Sequence, residues 1–337
     1  MDAPAAPSGM SSPARARGRR SWRTTLALLL LAASGVGAAA GSDDAADVAQ
    51  VQQTVRTLTL GDARVEVDIV DATPARAEAL ETWIGEVAHA VEATFGTWPL
   101  ARSVIRITQV EAGQAGGGSP VPWGQTSRRG ERVAVLLFVR RDAGIGELRD
   151  DWTAAHELVH LYHPYLGREG RWLAEGLASY YQNVVRARAG LMSGNAAWRA
   201  LDAGFGRGRR DTRDRPLAQA RRGETMRVYW AGAAYWLEAD LALRARGSSL
   251  DEVLAGYAEC CLAGARFGDA EGFVAALDRV AGREVFAARF RRYAASRAFP
   301  DLGEAYLRLG LRRGADGLHF DPAGAALRAR IMAAPAR

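Results

Sequence analysis

Residues 63–70 alternate, with Val65, Val67 and Ile69 set against Arg64, Glu66 and Asp68, the period-two pattern of a strand with one buried face. Thr73 then stands as a helix cap, and Leu80, Trp83, Ile84, Val87 and Val91 recur at helical spacing behind it. Residues 103–110 read as a second strand and the more continuously apolar 133–139 as a third. Between them, Gly116 to Gly124 has the Gly, Ser and Pro content of a loop, and no lysine-bearing helix follows to make it a phosphate cradle. From Asp151 the period changes to helical, over 151–162, 172–187, 196–203, 226–245, 250–262, 270–280 and 284–298. Strands first and helices after predict an α+β fold, with an N-terminal α/β lobe over 55–150 and a helical lobe over 151–337.

Composition changes this picture little. The chain has 337 residues, 48% hydrophobic and 24% charged, as an ordinary globular protein has. There is no lysine, so all 44 basic side chains are arginine, which points to an arginine-biased genome more than to a special surface. Of the net charge of +6, residues 1–40 hold +4, five arginines against Asp2. No long basic run remains, and nucleic acid is not expected as a partner.

The same forty residues read as an export signal: an arginine-rich start, an apolar stretch over 26–33, and small residues ending at Ala38, Ala39 and Ala40. Cleavage after Ala40 would leave 41–54 as a flexible lead-in and a periplasmic or secreted bacterial protein with no stable membrane insertion. An uncleaved anchor is the alternative, although the stretch is short against the ~20 residues a span needs. Cys260 and Cys261 are adjacent, and since a bridge between neighbours demands a strained ring, reduced thiols are expected.

The chemistry concentrates in His156-Glu157-Leu158-Val159-His160 and Trp172-Leu173-Ala174-Glu175-Gly176. Of five histidines in the chain, three lie within eight residues. On a helix, His156 and His160 differ by about 40° in azimuth and ~6 Å in rise, so both can face one metal ion. Glu157, about 100° round, falls beside that ion and can serve as general base for zinc-activated water. The opposing reading is two polar surface histidines. His163 lies ~10 Å along the axis from His156, and Pro164 disfavours a helix there, so it is read as a supporting or surface residue and not a ligand. Glu175, early on a helix that can fold back onto the first, is the better third ligand, completing two imidazoles, a carboxylate and an open position. Glu169 is its rival, and an exposed helix-start glutamate is the simpler account. Gly176 permits close packing of the two helices.

These segments resemble the gluzincin zinc metallopeptidases, and the Trp-x-x-Glu-Gly signature and Tyr229-Trp230-Ala231-Gly232 are similar to the glycyl aminopeptidase branch. The resemblance implies a thermolysin-like catalytic domain, with a small mixed β-sheet lobe before a mainly helical one. It also implies one Zn²⁺ per chain held by His156, His160 and Glu175, hydrolysis of peptide or protein substrates, and Tyr229 as donor to the oxyanion. An ordinary core tyrosine is the other reading of Tyr229. Residues 133–139 are expected to be an edge strand that takes an extended peptide, or else a central core strand. The acidic segment that holds a substrate amine in aminopeptidases has no clear counterpart, since Trp123-Gly124-Gln125-Thr126 stands in the comparable place. Ser179 replaces an aspartate that supports a zinc histidine in thermolysin-like enzymes. A function of another class, a non-catalytic zinc-stabilised binding protein of the cell envelope, stays open.

Overall fold

The computed structural model describes residues 53–114, 118–129, 132–262 and 267–333. The export signal and most of the lead-in fall outside them. All described residues belong to one compact unit, Gln50–Arg337. Among them, no helix is long and apolar enough to cross a membrane.

The N-terminal lobe is a five-stranded sheet. β1 (Gln53–Leu60) and β2 (Ala63–Val70) form a hairpin, α1 (Pro74–Phe95) crosses over to β3 (Arg102–Val110), and β4 (Trp123–Arg129) and β5 (Arg132–Arg140) close the lobe. The order is β1-β2-β3-β5-β4, with β2, β3 and β5 parallel and both outer strands antiparallel to their neighbours. Val65, Val67 and Ile69 are fully buried, as the alternation required. Asp68 breaks the pattern: it is buried on the other face, accepting from Gln53 Nε2 at 2.7 Å and Arg106 Nε at 2.6 Å. Thr73 caps α1 by accepting from the Arg76 N–H, and Leu80, Trp83, Ile84, Val87 and Val91 all face the core.

Two expectations change here. The 133–139 strand is not an edge. It lies in β5, between β3 and β4, which accounts for its apolar run. The edge on that side is β4, whose polar, glycine-containing sequence hid it in what looked like loop. The lead-in also ends sooner, because β1 already starts at Gln53 and pairs with Val70.

The helical lobe starts with α2 (Ile145–Asp150) and α3 (Thr153–Val159), followed by a tight 3₁₀ turn over His160–Tyr162. Then come α4 (Arg171–Arg188), α5 (Gly194–Arg210), α6 (Thr225–Arg244), α7 (Leu250–Tyr257), α8 (Ala270–Ala281) and α9 (Ala287–Ala295). α10 (Gly303–Leu309), the hairpin β6 (Leu311–Gly314) and β7 (Gly317–Phe320), and α11 (Ala325–Met332) complete it. The architecture is the α+β one expected, a small mixed sheet and a mostly helical lobe.

α4 and α6 form the centre of that lobe and touch backbone to backbone. A Cβ on Gly176 would sit 2.3 Å from Gly232 Cα, and one on Gly232 would sit 2.0 Å from the Trp172 carbonyl oxygen. Gly176 therefore serves the contact with α6, not the contact with the histidine helix for which it was read. Behind the contact, Arg188, Arg244, Asp240 and Asp251 form a buried charge network, with Tyr180 and Tyr181 donating to the two aspartates. Cys260 and Cys261 are joined by a disulfide within a π turn over Ala258–Leu262. The expectation of free thiols fails because this wide turn accommodates the bridge with every described peptide bond trans.

Candidate metal centre

α3 is short, and its start is fixed by Asp151, whose Oδ1 accepts the Thr153 N–H at 2.7 Å. Pro164 ends the helical run, and His163 is extended (φ −141°, ψ 155°). The chain turns at Gly167 (φ 69°), enters α4 and brings Glu175 back over α3. His156 Nε2 lies 3.3 Å and His160 Nε2 3.6 Å from Glu175 Oε2. The ligand atoms of the three all lie within 4.8 Å of one another. Ligands at about 2.05 Å from a tetrahedral zinc ion stand roughly 3.4 Å apart, so the spacing fits. Glu169, the rival, is exposed and outside the cluster.

The far sides of the imidazoles settle which nitrogen faces the site. His156 Nδ1 is 2.8 Å from Gln182 Oε1, which can only accept, so Nδ1 carries the proton. His163 Nδ1 donates to the Pro164 carbonyl at 2.7 Å, which leaves His163 Nε2 to accept from His160 Nδ1 at 2.9 Å. Both Nε2 lone pairs are thereby turned toward Glu175, as metal ligation requires. Burial, with His160 and Arg128 nearby, holds His163 well below the usual histidine range, so it stays a neutral acceptor. Burial alone would lower His156, but hydrogen bonding and charge from Glu175 and Glu157 raise it above its ordinary value. Glu175 shows the converse: burial pushes its carboxyl up, and the two histidines outweigh that and hold it well below the carboxylate range.

Glu157 is buried beside the cluster against β4. Thr126 Oγ1 lies 2.8 Å from the Glu157 carbonyl oxygen and 3.1 Å from Oε2. Gly124 leaves room for the carboxylate, since a Cβ there would come within 2.6 Å of Glu157 Cγ. Arg128, also on β4, donates to the carbonyl oxygens of His160 at 2.5 Å and His163 at 2.6 Å, closing the C-terminal end of α3, and burial pushes its pKa down to about 10. Tyr229, on the first turns of α6, stacks on His156 with ring centroids 5.6 Å apart and lines the same cleft. Burial, then Glu175, raises its pKa, so the phenol remains a proton donor.

Glu157, His160, Glu175 and Tyr229 line one cleft of about 760 Å³ between β4 and α4, and His156 stands behind it, 3.3 Å from Glu175 Oε2 and stacked on Tyr229. His163 has the supporting place expected of it. Arg128 and Gln182 were missed, and Gly124 and Thr126, read only as standing in the place of an amine-holding segment, serve Glu157. Gln182 carried a signal, lying seven residues after Glu175 on the same helix face. Ser179 does leave the support of the histidines to others, and its buried hydroxyl has no partner.

The architecture matches known structures. An aminopeptidase N family protein from Idiomarina loihiensis superposes with a TM-score of 0.58 at 12% identity, over 77% of this chain and 49% of that one. The fold is that of the M1 zinc metallopeptidases. Two structures of a two-domain M1 zinc metallopeptidase, bound to L-arginine and to L-tryptophan, each match with a TM-score of 0.51 at 17% identity, over 75% of this chain and 53% of theirs. The chain thus spans about half the length of these M1 proteins. No protein-family profile matches its sequence, and neither does any curated protein.

Proposed function

We propose that the protein is an exported zinc-dependent peptidase that binds one zinc ion per chain through His156, His160 and Glu175. One observation carries this reading: both imidazoles are held as tautomers with Nε2 on the carboxylate of Glu175, while Glu157 waits beside them in an open cleft. Zinc held there supplies a Lewis acid that polarises a peptide carbonyl and eases deprotonation of water. Glu157, oriented by Thr126, takes that proton and returns it to the leaving amine. Tyr229 donates its hydroxyl hydrogen to the oxygen on which negative charge develops. The free edge of β4 pairs with an extended substrate and lays it along the cleft. The arginine-rich and then apolar start of the chain supports export to the periplasm or beyond.

The test is digestion of a mixed peptide library by the zinc-loaded protein beside its Glu157→Gln variant. Cleavage by the parent, with at least about a hundredfold loss in a variant that keeps its zinc, supports the mechanism. Zinc bound at one per chain with no cleavage by either protein supports the non-catalytic envelope binding protein instead.

A further inference from the structure

Next to the metal cleft lies a second cavity of about 550 Å³, and the two share Arg168, Arg171 and Arg222. Its size is within the range of ligand pockets, and Arg221 joins the other three over an apolar floor that includes Trp172 and Val228. No acidic residue lines it among the described residues. Arg168, Arg221 and Arg222 have no ion-pair partner there, and Arg171 has only a loose contact, 3.9 Å from Glu175 Oε1. Glu169, beside Arg168, is exposed and lines neither cavity, and Glu224, beyond Arg222, is occupied by Arg215 and Arg227, each at 3.0 Å. Asp211 is taken up by the Met226 N–H at 2.9 Å.

Like charges gathered in a concave, partly apolar wall raise the local potential and draw anions to it. Guanidinium groups bind carboxylates with two parallel hydrogen bonds, which gives direction as well as charge. Among the described residues, the metal cleft offers a free amine no unengaged carboxylate: its acidic lining residues there are Glu157, held by Thr126, and Glu175, held by the histidines. We propose that the arginine cavity is a substrate subsite for a carboxylate, so that the protein cuts peptides beside an acidic side chain or a free C-terminal carboxylate and does not depend on a free amino terminus. The proposal rests on the peptidase reading and adds the substrate class to it.

The experiment uses one quenched-fluorescent peptide scaffold and the zinc-loaded full-length protein. Members carry Glu, Ala or Lys at each position flanking the scissile bond with both ends blocked, and one all-Ala member keeps a free C-terminal carboxylate. We expect kcat/KM for the best Glu or free-carboxylate peptide to exceed the Lys peptide about tenfold, from several partly exposed charge contacts. The first kind of winner identifies a side-chain carboxylate and the second a terminal one. Arg222→Glu and Arg168→Glu should each lower or reverse that ratio, which is read within one preparation and is insensitive to folded fraction. Cleavage of all peptides with equal efficiency, or a ratio unmoved by both variants, overturns the subsite and leaves the peptidase reading intact. If no peptide is cut, the same set is titrated by calorimetry into the Glu157→Gln protein. Preferential binding of the carboxylate members then supports the subsite although the peptidase reading has failed, and equal or absent binding overturns it.

Discussion

Gly124→Ala isolates the placement of Glu157, the proposed general base. The backbone of Gly124 has an ordinary φ, so alanine is sterically allowed locally and only its methyl group matters. That methyl would lie 2.6 Å from Glu157 Cγ, 2.8 Å from Thr153 Cγ2 and 3.2 Å from Glu157 Cδ. Carbon atoms prefer about 3.5–4.0 Å, so Glu157 or the strand must move by roughly 1 Å. Glu157 cannot simply swing away, because it is buried and Thr126 holds its carboxylate. A 1 Å misplacement of a reacting group costs about a hundredfold in rate, and overpacking at such a contact costs about 1–3 kcal/mol of stability. We therefore expect kcat to fall about a hundredfold, with KM and zinc content near parental values and Tm lowered by a few degrees. Steady-state kinetics on a fluorogenic peptide, zinc analysis and a thermal melt measure all three. Gly146→Ala, on an exposed helix position with open space around it, is the control and should leave activity unchanged. A folded Gly124→Ala protein with parental kcat would refute the placement of Glu157 against β4.

Three further outcomes are expected. Gln182→Leu removes the acceptor that fixes the His156 tautomer, and chelator competition should show zinc affinity lowered about 10–100-fold with little change in Tm of the metal-free protein. Gly232→Ala drives a methyl into the Trp172 carbonyl, and denaturant melts should show a loss of several kcal/mol, or no soluble protein at all. Asp240 has its pKa raised by burial, so the native state keeps that proton longer than the unfolded state does. Its contribution therefore falls as pH rises from about 4 through its raised value. Stability against pH should descend less steeply over that window in Asp240→Asn, and an unchanged slope would contradict the assignment.

The parts of this molecule that could be read from the chain are those where one physical demand dominates. β2 and α1 followed from a single buried face each, and the pairing of His156 with His160 followed from the helical spacing of a rare residue type. β4 was illegible because an edge strand at a cleft is under no demand to be apolar: Gly124 is there for Glu157, Thr126 for its carboxylate and Arg128 for the end of α3. The β5 run was read as a strand, but its place in the sheet depends on β4 being one. The distance along a helix that sets His163 apart in the sequence does not apply, because the chain is extended there, and its use as a neutral acceptor depends on the Pro164 carbonyl, which only the fold brings into line. The Cys260–Cys261 bridge is not legible in the sequence because it lies in a π turn, which nothing in the local residue pattern announces.

The glycine contact between α4 and α6 has a mechanical consequence. Glu175 precedes Gly176 by one residue and Tyr229 precedes Gly232 by three, so the carboxylate of the candidate metal centre and a phenol are mounted on two rods that touch without any side chain between them. A side chain at a helix crossing can change rotamer and let the helices slide, but bare backbone in contact cannot. The Trp236 indole, donating to the Leu173 carbonyl at 2.8 Å, pins the same crossing a turn further on. The spacing between Glu175 and Tyr229 across the helical wall of the cleft is therefore set by backbone contact and not by any side-chain rotamer.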